Sequence, residues 1–141
     1  MGLRITLKPG ERVILNGCIV RNAGRSRMDI EVENRSDVLR GDEIISREDA
    51  CTPVRGVAHA IQHALASRDQ RDELLPHILR SLDEIEAVLN PVVAPAIHAV
   101  RACIGTEDYY GALKSLGPLL DREARLLNLP SASAAAPGAA A

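Results

Sequence analysis

The chain has no phenylalanine and no tryptophan, and its only tyrosines are Tyr109 and Tyr110. A surface that stacks successive bases on aromatic rings is therefore nearly excluded. The core must come from Leu, Ile, Val and Ala. An apolar content of 46% over 141 residues is enough for one domain, or one small domain with a helical annex. Cysteine is also scarce. Cys18, Cys51 and Cys103 are odd in number, far apart and without a C-x-x-C. They make no disulfide framework and suit a reducing cytosol. No apolar run reaches the roughly 18 residues that suggest a membrane span. No signal peptide precedes the first strand. A cytoplasmic protein with no membrane partner is expected.

Charge of one sign is lacking too. The net charge is −2, so the chain as a whole is no polyanion binder. The distribution is uneven, however. Met1–Arg55 carries ten Lys/Arg against nine Asp/Glu, and the rest carries seven against ten. A local basic stripe in the first part remains open.

What is present falls into two periods. "LRITL" alternates, with Leu3, Ile5 and Leu7 on one face. Pro9-Gly10 suits a type II turn. "ERVIL" is a second strand, and Asn16-Gly17 is a strong hairpin signal. "CIVRN" is a third strand. "RMDIEVE" is a fourth, with Met28, Ile30 and Val32 inward, and "DVLR" adds a short fifth. Short strands between frequent turns predict an antiparallel meander, as a sheet or small barrel.

Near Gly41 the period becomes helical. Thr52 is a candidate N-cap with Pro53 at the first helical position. Val54, Val57, Ala58, Ile61 and Leu65 follow at helical spacing. A second helix spans about Asp69–Leu89, starting or kinking at Pro76 and broken by Asn90-Pro91. A third covers about Val93–Ile104. A fourth, capped by Thr106, carries Leu113, Leu116, Leu120 and Leu127, with a kink at Gly117-Pro118. The fold class is α+β. Residues 1–50 form the β region, 51–129 a bundle of about four helices, and 130–141 a disordered tail of small uncharged residues.

Three groups of residues bear on chemistry. His59 and His63 lie at i and i+4, but a zinc site needs a third ligand and none is evident, so no metal is expected. Cys18 and Cys103 sit among apolar residues and read as small core hydrophobes. Cys51 precedes a helix N-terminus, where a thiolate is favoured, yet no partner base is identifiable. With no phosphate loop and no triad pattern, the chain reads as a non-enzyme without a cofactor. The third group is Arg4, Lys8, Arg12, Arg21, Arg25, Arg27, Arg35 and Arg40 on the β region. Arg25 and Arg27 flank a turn. Guanidinium groups suit phosphates and base edges. The plainer reading is a solvated face balanced by Glu11, Asp29, Glu31 and Glu33.

"LKPGERVILNGCIVRN", "ENRSDVLRGDEI" and "DACTPVR", with the closing "ALKSLGPLLDREARLL", resemble the FlbT family of flagellar biosynthesis repressors. The resemblance covers about residues 1–128. The helix after "TPVR" departs from that pattern in having no aromatic residue. The resemblance implies control of flagellin after transcription. The implied partner is the 5′ untranslated region of flagellin messenger RNA, whose translation is blocked and decay promoted. Gly10-Glu11, Gly24, Met28–Val32, Val38-Leu39-Arg40 and Glu43-Ile44 also resemble CsrA, a small dimeric RNA-binding β-protein. That resemblance implies a homodimer through the β region, with Arg40 and then Arg4 or Lys8 on the RNA. The alternative is a protein-binding module acting through its helices on flagellin, on FlaF or on a translation component.

Overall fold

The computed structural model describes residues 2–89 and 92–129. Five strands come first: β1 (Leu3–Leu7), β2 (Arg12–Leu15), β3 (Cys18–Arg21), β4 (Met28–Val32) and β5 (Val38–Leu39). Five helical segments follow: α1 (Pro53–Ala66), α2 (Arg71–Leu89), α3 (Ala94–Gly105), α4 (Tyr109–Ser115) and α5 (Gly117–Leu126). A 3-10 turn, Gly41–Glu43, stands where the sequence period changes. The order is the one the periodicity predicts, antiparallel strands and then helices.

The strands do not form the predicted meander. β1 pairs with β4, from Leu3 opposite Val32 to Leu7 opposite Met28. β2 pairs with β3 on one side and β5 on the other. Two small sheets result, and neither closes into a barrel. The reason is burial. An in-plane neighbour leaves the apolar faces of β1 and β2 open, whereas stacked sheets cover both. Ile5, Leu7 and Val13 are thereby buried, with Leu15, Val20, Ile30, Val32 and Val38 packed on them. Pro9-Gly10 passes the chain from one sheet to the other. Gly10 takes the predicted positive φ, 80°.

β2 is buried on both faces. Val13 faces the first sheet, while Ile14 joins Leu39, Ile45 and the helices in the larger core. Asn16 and Gly17 both have positive φ, 51° and 84°, as a type I′ hairpin requires. A Cβ on Gly17 would lie 2.6 Å from the Leu65 carbonyl oxygen, so the hairpin tip presses directly on α1. Cys18 opens the outer strand β3 and is exposed, contrary to its reading as a core residue. Cys103 does pack on the core.

Thr52 caps α1 as predicted, accepting from the Arg55 N–H at 3.2 Å. The buried carboxylate of Glu123, on α5, completes the cap. It accepts from the Val54 N–H at 3.0 Å and from the Thr52 hydroxyl. α2 runs through Pro76 and buries Ile78, Leu82 and Ile85. The predicted fourth helix divides at Leu116, beside Gly117-Pro118. Its cap is Asp108, which accepts from the Gly111 N–H at 2.9 Å, rather than Thr106. The Thr106 hydroxyl instead donates to the Cys103 carbonyl at 3.1 Å, ending α3. Glu107 at φ 58° then turns the chain, which delays the next helix. Asn90-Pro91 and the tail from Pro130 lie outside the described residues. Among the described residues no helix is long and apolar enough to cross a membrane.

Candidate nucleic-acid interface

A buried asparagine organises the end of the β region. Asn22 is 3% exposed. Its Nδ2 donates to the carbonyls of Leu7 and Ser26, each at 2.9 Å, and its Oδ1 accepts from the Gly24 N–H at 3.0 Å. Its backbone bonds Gly10 and Glu11 across the other turn. One side chain thus ties the end of β1 to the loop carrying Arg25 and Arg27. The Asn22 position in "CIVRN" signals only a strand end, so sequence reasoning did not single it out.

The consequence is a basic rim. The β1–β4 register puts Lys8 beside Arg27, one step past the Leu7–Met28 pair. Arg12 and Arg21 are direct cross-strand partners at the same end of the second sheet. Arg40 follows β5 there, next to Gly41, where a Cβ would sit 3.0 Å from the Arg12 carbonyl. Lys8, Arg12, Arg21, Arg25, Arg27 and Arg40 are all exposed. Two of the nearby carboxylates, Glu11 and Glu43, are engaged. Glu11 accepts from the Lys8 N–H at 2.9 Å. Glu43 accepts from the Arg40 N–H at 3.1 Å and is ion-paired with Lys114. Burial pushes the Glu43 carboxyl up. The bonds from Lys114 and the Arg40 N–H outweigh that, aided by both cationic charges, and it lies below its ordinary value.

Of the five residues singled out for RNA, the structure brings four to this rim: Lys8, Arg25, Arg27 and Arg40. Arg4 lies apart, in the middle of β1 and opposite Glu31, on a face where the Thr6 hydroxyl donates to Asp29 at 2.6 Å. The two ends of the β segment do not meet in one closed sheet, so Arg4 and Arg40 share no stripe. Both tyrosines are structural. Tyr109 is buried under the Arg71 guanidinium, 4.5 Å from the ring centre. The Tyr110 hydroxyl donates to the Val38 carbonyl at 3.1 Å and so holds β5 against α4. The rim therefore offers guanidinium forks rather than aromatic rings.

His59 and His63 line a separate cleft between β3 and α1. Burial lowers the His59 pKa, the charges of His63 and Arg47 lower it further, and Glu48 opposes them. Among the described residues no three His, Cys, Asp or Glu side chains converge as a metal site. A third feature is an apolar groove of about 400 Å³ between α2 and α5, where Val88, Leu126 and Leu127 are exposed.

A family model described as flagellar protein FlbT matches residues 3–127. The flagellum biosynthesis repressor protein FlbT of Caulobacter vibrioides is 29% identical over 139 residues, covering 98% of each chain. A probable flagellum biosynthesis repressor protein FlbT of Rhodopseudomonas palustris is 31% identical over 130 residues, 91% of this chain and 99% of the relative. One of Bradyrhizobium diazoefficiens is 33% identical over 127 residues, 89% and 85% of the two chains. No solved structure matches the chain.

Proposed function

The chain belongs to the FlbT family of flagellar proteins, and from that membership we propose that it is a non-catalytic, cytoplasmic repressor of flagellin synthesis. It binds the 5′ untranslated region of flagellin messenger RNA and promotes the decay of that message. The names of its relatives support the repressor role in flagellum biosynthesis. The observation that carries the RNA reading is the basic rim. Six exposed cations lie on one end of the β region, and Glu11 and Glu43 beside them are engaged by N–H groups and Lys114. Such a rim neutralises phosphates, and its forked arginines suit the edges of unpaired bases. The open edges of both small sheets support a homodimer through the β region.

The test is binding of a flagellin leader RNA across a salt series. Phosphate contacts predict a log–log slope of about −0.7 per contact on single strands. Affinity that does not depend on salt would sink the reading. A second reading, a module that docks flagellin or FlaF, is favoured by the groove between α2 and α5. Among the described residues Glu84 and Glu123 are the only charged ones lining it, which suits an apolar helix with basic flanks. Pull-down of RNA and protein from cells, with and without RNase, separates the two.

A further inference from the structure

α1 carries His59, Gln62, His63 and Ala66 at i, i+3, i+4 and i+7, all on one face. Gln62 is locked. Its Oε1 accepts from the Ile45 N–H at 2.9 Å and its Nε2 donates to the Ile45 carbonyl at 3.0 Å. That clamp fixes residues 44–48 beside the helix. The β2–β3 hairpin supplies the remaining wall. The cleft is open to solvent on one side and measures about 490 Å³, within the range of small-molecule sites. Arg12, Ile19, Arg47, Glu48, His59 and His63 line it.

Two features of the hairpin lack an internal reason. Ile19 is 56% exposed on the face it shares with Ile14. Arg12 and Arg21 stand directly opposite one another, and like charges so placed repel. Ile19 and Arg12, the member of that pair which lines the cleft, suit a ligand with a flat apolar body and an anionic end. We propose that the cleft between β3 and α1 holds one nucleotide, its base against Ile19 and its phosphate against Arg12 and Arg47. Glu48 and the two imidazoles then face the base edge. Burial disfavours the charged form of His59, and a neutral imidazole can both donate and accept. Arg12 belongs to the basic rim as well, so a strand lying on the rim leads into the cleft. The inference rests on the RNA reading for the source of the nucleotide, either one residue of the message or a free mononucleotide.

The test uses the full chain with the four nucleoside 5′-monophosphates and inorganic phosphate as separate probes. The His59 and His63 ring resonances report binding and are assigned with H59Q and H63Q. At least one nucleotide should shift them saturably, and phosphate at equal concentration should not. Ile19→Ser removes a side chain that is more than half exposed, and its melting temperature checks the fold. It should weaken nucleotide binding by about 3- to 10-fold. On leader RNA it should weaken binding similarly and leave the salt slope unchanged, whereas Arg27→Ala should reduce the slope by about one contact. No shift with any nucleotide, an equal shift with phosphate, or an unaffected Ile19→Ser overturns the cleft proposal. If the parent does not bind leader RNA yet nucleotides shift the rings, the RNA reading falls and the cleft stands as a site for a free nucleotide.

Discussion

Arg40 and Asn22 show how far single residues were readable. Arg40 follows Val38-Leu39 and precedes Gly41, so a strand-end position was legible, and the structure places it there. Its N–H is held by Glu43, which fixes the backbone while the side chain stays exposed. A bidentate contact is worth about 1–3 kcal/mol. Arg40→Ala should therefore weaken leader binding by about 5- to 150-fold in a gel-shift titration. Arg4→Ala should act less, since Glu31 lies opposite it and the rim is elsewhere. Arg122→Ala, on α5, should leave affinity unchanged. If only Arg122→Ala weakens binding, the interface lies on the helices. Asn22 was illegible because its partners include backbone groups of the Leu7–Glu11 segment, distant in sequence, which no local pattern encodes. Asn22→Ala strands those groups in a buried place, at about 1–3 kcal/mol. A urea midpoint should record that loss, and leader affinity should fall with it as the Arg25–Arg27 loop loosens.

At the scale of elements, local chemistry was the most readable. The Asn16-Gly17 turn, the Thr52-Pro53 start of α1 and the break at Gly117-Pro118 all appear. Pairing was less readable, because β1 and β4 are joined by burial of Ile5 and Leu7 rather than by a turn between them. The Glu123 cap on α1 bridges elements some 70 positions apart, beyond the reach of any capping motif. Two predictions belong here. Gly17→Ala meets both a positive φ and the Leu65 carbonyl. It should lower stability by about 1–3 kcal/mol in chemical denaturation, with the hairpin displaced from α1. Glu123→Ala leaves the Val54 N–H without its acceptor and removes a charged partner at a helix N-terminus. It should cost about 1.5–3 kcal/mol by the same measurement. An unchanged midpoint in either variant would mean that the packing relaxes around it.

For the whole molecule, the expected homodimer is tested by light scattering at micromolar concentration, where a mass of one 15.1 kDa chain would rule it out. The division into a β region and a helical region was readable from the change of period. Their dependence on each other was not, because it comes from β2, which is buried on both faces. That strand has a consequence for how the protein is made. A nascent chain leaves the ribosome with its N-terminus first. β2 therefore emerges long before the helices that cover Ile14, and β5 emerges before Tyr110, whose hydroxyl holds Val38. The strands that carry Arg12 and Arg40 are locked only when nearly all of the chain has been translated. A fragment that ends before α1 therefore carries Arg12 and Arg40 on strands that lack their helical cover.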